Sequence, residues 1–347
     1  MEFVSAKTAK GPRFPRWACA FAVAGLTLSI AACSSGSSST TTIASNSDSA
    51  APELSSITVG VLPSADSVTV RIAQDQGLFK QQGLNVKVVT EKTTNDGTAG
   101  LLSHTMDFTS ENYVGMFSQQ ESVPGLNLKI VADNSQASPG GYVLLVTKNS
   151  KLTSVSQLKG KKVSFPAPGF NYGAMALDVQ LEPYHLSVKD VTSVVLPFSA
   201  AQQALARGEV DAAFTTEPFT TAAEAAAGDR VLIDLMSGPL AGAPQACWGT
   251  TASFTRQYPK TVAAFQRAMA LAAQIAAASP GYVRSELPKF IPTMKPAIAK
   301  VIILPTYNTT LTLERMERVA YTMERLGALP KNFDVKSMYD PLDGPAS

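Results

Sequence analysis

From residue 57 onward, short apolar runs and helix-period segments take turns, and this alternation restricts the fold more than any other feature of the chain. ITVGVL (57–62) has the length and branching of a buried strand, and VTVRIAQDQGLF (68–79) has helical apolar spacing, with Gly77 where a helix C-cap belongs. Gly83 turns the chain into the strand pattern NVKVVT (85–90). NDGTAGLLS then opens a helix, MDFTS (106–110) reads as a strand, ENYVGMFSQQ as a helix and LKIVADN (128–134) as a strand. After Ser138-Pro139-Gly140-Gly141 the series resumes with YVLLVT, KKVSFP (161–166), VTSVVLP, EVDAAFT and RVLIDL (230–235) as strands and NYGAMALDVQLEP as a helix. Strands alternating with helices build mostly parallel sheets with helices on both faces. The pattern then changes to long helices, over 260–279 and within 311–329. Gln266, Arg267 and Gln274 argue against a membrane span in the alanine-rich first of these.

Two stretches echo each other. LLSHTMDFTSENY (101–113) and LARGEVDAAFTTEPF (205–219) both run helix, turn, Asp-containing strand, polar rim and helix, with Asp107 matching Asp211 and His104 matching Gly208. Two similar α/β lobes of about a hundred residues each follow from this. The expected division is residues 56–140 plus 250–347 for lobe 1 and 141–249 for lobe 2. One crossing is expected at 139–145 and a return near Trp248, which lets the C-terminal helices pack on the first lobe.

The N-terminus has a different character. Residues 1–16 carry Lys7, Lys10, Arg13 and Arg16 against Glu2, and the apolar run ACAFAVAGLTLSIAA (18–32) follows. A basic region before a short hydrophobic run is an export signal, expected to span 1–32. Removing it takes three charges off the formal +2 and leaves the remainder near −1, which gives no electrostatic reason to expect a nucleic-acid partner. Ile30-Ala31-Ala32-Cys33 resembles a bacterial lipobox, in which Cys33 is lipidated and becomes the mature N-terminus. The alternative is an ordinary secreted protein whose apolar run ends in a cysteine. SSGSSSTTTIASNSDSA (34–50) has the composition of a flexible polar tether, and the lipidated cysteine plus tether is expected to occupy 33–55. Of the three cysteines only Cys247 is left for the folded body, so an internal disulfide is excluded there, and no Cys/His spacing fits zinc. Cys247 reads as a small core residue.

Three blocks carry a family resemblance. ITVGVLPSADSVTVRIAQDQGLFKQQGLNVKVV resembles the opening of the nitrate/sulfonate/taurine and thiamine-pyrimidine class of ABC-transporter substrate-binding proteins, and QLKGKKVSFPAPGFNYGAMAL and LARGEVDAAFTTEPF resemble its two second-lobe signatures. The resemblance covers roughly residues 56–270. It implies a two-lobed periplasmic-binding-protein-like fold of type II, with two α/β lobes joined by a two-strand hinge, C-terminal helices and a ligand held in the interlobe cleft. It also implies a monomer that serves an ABC permease and its ATPase, and lipid on Cys33 is expected to anchor it at the extracytoplasmic face of the cell membrane, in the periplasm of a diderm. His104 departs from the family, which has a glycine there.

In open α/β sheets ligands bind beyond the carboxyl ends of strands. Four such rims are expected to line the cleft. Ser64 and Asp66 belong to the first, Ser110, Glu111, Asn112 and Tyr113 to the second, Phe170, Asn171 and Tyr172 to the third, and Thr216 and Glu217 to the fourth. Each precedes a helix and so offers free N–H groups, and Ser, Asp and Asn at such places are also ordinary helix caps. None of the four holds a lysine or arginine, whereas Asp66, Glu111 and Glu217 are acidic. That favours a neutral or cationic nitrogen heterocycle of the pyrimidine or vitamin-precursor type over a small anion, although nitrate, sulfonate or taurine remains the alternative within the same fold. A fold-related enzyme of pyrimidine or menaquinone metabolism is the alternative of another class. Two histidines, His104 and His185, assemble no catalytic triad or metal site, no cofactor motif is present, and the synthases of that fold carry a cysteine-rich motif absent here. A lipoprotein that senses its ligand without transport would present the same cleft.

Overall fold

A computed structural model of the chain describes residues 51–91, 94–123 and 125–342. The export signal, Cys33 and the tether as far as residue 50 lie outside the described residues. The strands are β1 (Ser56–Val61), β2 (Asn85–Thr90), β3 (Phe108–Asn112), β4 (Leu128–Gln136), β5 (Tyr142–Val146), β6 (Lys162–Phe165), β7 (Thr192–Val195), β8 (Ala212–Thr216), β9 (Arg230–Asp234), β10 (Pro244–Thr251) and β11 (Thr306–Tyr307). They form two sheets, in the orders β11-β4-β10-β3-β1-β2 and β7-β6-β8-β5-β9. Each sheet has a parallel trio, β2-β1-β3 in the first and β7-β6-β8 in the second, flanked by antiparallel strands.

The echo between the lobes has a physical basis. Asp107 and Asp211 each stand just before the third strand of their trio. The Asp107 carboxylate accepts from the Thr58 amide at 2.7 Å while its own amide donates to the Thr58 carbonyl at 2.8 Å. Asp211 makes the same pair with Lys162, at 2.9 and 2.8 Å. Each aspartate thereby sets the register of its parallel pair. The turns ahead of them are left-handed at His104 (φ 56°) and Gly208 (φ 70°), so the histidine keeps the turn and accepts a backbone conformation that glycine adopts without cost.

The first sheet packs on the helix Pro259–Ala278, which buries Val262, Phe265, Ala268, Met269 and Ala272. Among the described residues no helix is long and apolar enough to cross a membrane. The return from the second lobe falls earlier than the expected boundary at 250. All eight residues of β10 are buried, and this strand pairs with both β3 and β4, so the first lobe resumes at Pro244 rather than at 250. The last residues of the expected tether are also fixed. Glu53 accepts from the amides of Lys260 and Thr261 at 3.0 and 2.8 Å, at the start of the long helix, and the Ser55 carbonyl accepts from Asn85 at 2.7 Å. A carboxylate on the open N–H groups of a helix start explains why the chain is already held at Glu53.

The two crossings between the sheets run side by side. The Ala137 amide donates to the Ala243 carbonyl at 3.0 Å, and Asp234 accepts from the Gly140 and Met236 amides at 2.8 and 2.9 Å. Arg318, on the helix Leu313–Arg325, donates to the carbonyls of Pro239, Ala241 and Gly242 and so braces the second crossing.

Candidate functional site

Where the two lobes face each other beside these crossings lies a cleft. Ala65 and Asp66 after β1 form one wall, and Thr216 and Glu217 at the end of β8 form the other. Tyr142 and Gln245 lie in the floor, with Ile303 and Pro305 covering one side. The groove holds about 260 Å³ of space between atoms, part of it continuous with solvent, and only about 10 Å³ is wide enough to admit a water. The lobes are closed against each other.

Asp66 is the acidic centre of the first wall. One carboxylate oxygen accepts from the Ser64 hydroxyl and from the Ser67 amide at 3.1 Å, and the other lies 3.4 Å from Gln245 Nε2. Burial pushes its pKa up, opposed by the bonds from Ser64, Ser67 and Gln245. Gln245, itself only 4% exposed, also donates to the Tyr142 hydroxyl, so one amide bridges a loop of the first lobe to a strand of the second. Burial raises the Tyr142 phenol well above its usual range, and the nearby Asp66 charge adds to this. The Tyr142 ring stacks on Phe214 at 5.6 Å. On the second wall, Thr216 Oγ1 donates to the Gly141 carbonyl at 3.0 Å. Glu217 accepts from the Thr221 amide and hydroxyl at 3.2 and 2.7 Å and from the Ile303 amide at 3.1 Å. None of the residues lining the cleft is a lysine or arginine. Arg315, outside the lining, is engaged by Asp133 and Gln136.

The expected rim residues therefore separate. Ser64, Asp66, Thr216 and Glu217 meet at the cleft. Ser110 lies behind it in a buried polar row, 3.1 Å from Ser67 Oγ. Glu111 does not reach the cleft as expected. It is 3% exposed, and one oxygen accepts from Gln119 at 2.7 Å inside the first lobe. Burial raises its pKa well above the carboxylate range, opposed by the Gln119 bond and reinforced by Glu91. Asn112 and Asn171 cap the helices Tyr113–Ser122 and Tyr172–Leu181, accepting from Gly115 at 2.8 Å and Ala174 at 3.1 Å. Tyr113 is fully buried, Phe170 packs against the core, and the Tyr172 hydroxyl donates to the Pro244 carbonyl at 3.2 Å. These four aromatic and amide side chains of the second and third rims, together with Tyr172, serve helix starts and core packing, because a residue that begins a buried helix turns inward.

Tyr142, Gln245 and Ile303 were not among the expected site residues. A buried glutamine in the apolar run APQACW was a usable signal. The Ile303 contribution is a backbone amide and leaves no mark in the sequence. Among the described residues no group of histidine, cysteine, aspartate or glutamate could hold a metal ion. Cys247 is buried in β10 and directs its thiol at the Glu111 carbonyl.

Two α/β lobes, two crossings and a closed interlobe cleft define a bilobal binding-protein architecture. Residues 64–282 match the family model described as NMT1/THI5 like, more than half of the chain, and the chain belongs to that family. Among curated proteins it is 28% identical, over 148 residues, to a Haemophilus influenzae protein whose description assigns it to thiamine biosynthesis. That alignment covers 42% of this chain and 45% of the relative, so the chain spans less than half the length of the relative it matches. Among solved structures it resembles the alkanesulfonate-binding protein SsuA of Xanthomonas axonopodis pv. citri bound to MOPS, with TM-score 0.69, 18% identity and coverage of 83% of this chain and 99% of that one. The nitrate-binding protein NrtA of Synechocystis PCC 6803 is similar at TM-score 0.67 and 16% identity, covering 83% of this chain and 86% of the other. At these identities the likeness establishes the periplasmic-binding-protein fold.

Proposed function

We propose that the chain is the extracytoplasmic solute-binding component of an ABC importer, and that it takes a small nitrogen heterocycle of the pyrimidine type. The cleft chemistry carries this reading: Asp66 and Glu217 on opposite walls, an aromatic phenol and an amide in the floor, and no basic residue among the lining groups. A ligand that offers N–H donors in two directions satisfies both carboxyl groups, whereas a sulfonate or nitrate meets two carboxyl groups with no basic side chain among the lining residues. The fold likeness to sulfonate- and nitrate-binding proteins supports a solute-binding role.

Both lobes supply groups to the solute, so closure and binding are one equilibrium and the solute shifts the population towards the closed form. The closed form docks as a monomer on a permease whose ATPase supplies the energy. Lipid on Cys33 holds the body at the outer face of the cytoplasmic membrane, and the tether keeps it near the permease at high effective concentration.

Thermal shift of the full-length chain in detergent, against aminopyrimidines, purines, polyamines, taurine, ethanesulfonate and nitrate, tests the ligand class. A solute at 100 times its dissociation constant adds about 2.7 kcal/mol, enough to raise the midpoint by several degrees. The expected hit is an aminopyrimidine. A shift with ethanesulfonate or nitrate alone keeps the transport reading and overturns the heterocycle.

A further inference from the structure

Glu217 is buried to 3% exposure, and its donors come from both lobes. Thr221 supplies two from within the second lobe, and the third is the Ile303 amide. Ile303 belongs to the segment that leads into β11, which pairs with β4 of the first sheet. Arg284 fixes this segment to the helix Pro280–Phe290 by donating to the Ile302 carbonyl at 2.7 Å. The segment therefore travels with the first lobe, while Glu217 travels with the second. It also rests on the first crossing, since a Cβ at Gly140 would stand 2.7 Å from Ile303 Cδ1.

We propose that Glu217 selects the solute and that the Ile303 amide holds its place between solutes. The proposal rests on the solute-binding reading above. With about 10 Å³ open in the cleft, any solute larger than water must part the lobes, and parting them takes the Ile303 amide away from Glu217. The carboxylate then keeps only the donors of Thr221 and has acceptor capacity to spare. Glu217 enters none of the salt bridges among the described residues, so no cation stands ready to replace the amide. A solute N–H can take the vacated position, and the oxygen of an anionic solute is repelled from it. The contact is thus both a latch for the closed cleft and a filter on what may reopen it.

Amide hydrogen exchange of the full-length chain in detergent, read residue by residue by NMR without solute, tests the latch. The Ile303 amide is expected to be protected in the wild type. Its exchange is expected to quicken about tenfold in Glu217→Ala, the scale of losing one charge-assisted hydrogen bond, and to stay near wild type in Glu217→Gln, which keeps a carbonyl acceptor. Unprotected exchange at Ile303 in the wild type, or equal exchange in wild type and Glu217→Ala, overturns the latch. Ethanesulfonate titrations test the filter: the wild type is expected to give no binding heat and Glu217→Gln to bind ethanesulfonate measurably, at least tenfold more tightly than the wild-type detection limit, and a variant as silent as the wild type overturns it. The exchange readout needs no solute, so a failed latch and a wrong ligand class give different results.

Discussion

Phe265→Ala is expected to destabilise the protein by about 3–5 kcal/mol, lowering the thermal midpoint by on the order of 10 °C. The ring is fully buried and is the meeting point of the first lobe. Phe108 of β3 stacks on it at 4.0 Å with the planes 10° apart, Trp248 of β10 meets it edge-on at 5.6 Å, and Phe79 lies parallel at 6.1 Å. Alanine removes the contacts of three aromatic neighbours at once and leaves a cavity that close-packed strands cannot collapse around. Leu271 on the same helix is 37% exposed, and Leu271→Ala is expected to change stability by no more than about 0.5 kcal/mol. Guanidinium denaturation of the two variants separates them. Equal midpoints would mean that the long helix does not close the first sheet.

Stability is expected to fall as the pH rises from about 5 to about 7, with Glu91 as a principal cause. Glu91 is 3% exposed at the end of β2; one oxygen accepts from Thr109 Oγ1 at 2.7 Å, and the other has no hydrogen-bond partner among the described residues. Burial pushes its pKa from 4.5 to about 7, against the Thr109 bond and with help from the Asp96 charge. Between those values the native state holds a proton that the unfolded chain has released. The stabilisation is therefore complete below the unfolded pKa and is lost as pH rises through the folded one. The size of the loss is on the order of 3 kcal/mol. Glu91→Gln keeps the uncharged form at every pH, so it is expected to be the more stable protein at pH 8 by about 2–3 kcal/mol and to show a shallower slope. Buried Glu111 and Asp133, the latter pushed to about 6 by burial against the opposing Arg315, titrate in the same direction and leave a residual slope. Denaturation midpoints from pH 5 to 8 check this. An unchanged slope in the variant would mean that Glu91 is ionised in the native state.

Much of the fold was legible because the period of the apolar residues changes with the element. NVKVVT is β2 residue for residue, and the 260–279 helix differs from the observed one by a single position at each end. The Asp107/Asp211 echo was legible because the same backbone pairing needs the same acid at the same place. β10 carries no strand pattern in the sequence. Its residues are all buried and largely small, its ladder carries bulges, and no alternation survives for the eye to find.

The site was legible only in part, because the residues that cap a helix are the types that bind a ligand. Asn112 and Asn171 cap; Asp66 faces the cleft with its neighbours' help. Glu111 and Glu217 look alike in the sequence, but Glu111 lies inside β3, where side chains alternate between faces. Thr109 shares its face and bonds to buried Glu91, while Ser110 turns the other way to Ser67. Glu217 follows the end of β8 and escapes that constraint. Two positions relative to a strand end thus separate a core carboxylate from a cleft carboxylate.

The most direct test of the cleft assignment is calorimetric titration of the wild type and Asp66→Asn with 4-aminopyrimidine and with ethanesulfonate. The predicted result is that 4-aminopyrimidine binds the wild type, loses at least tenfold in affinity in Asp66→Asn, and that ethanesulfonate produces no binding heat with the wild type. Ethanesulfonate binding to the wild type, undiminished in Asp66→Asn, would contradict the account.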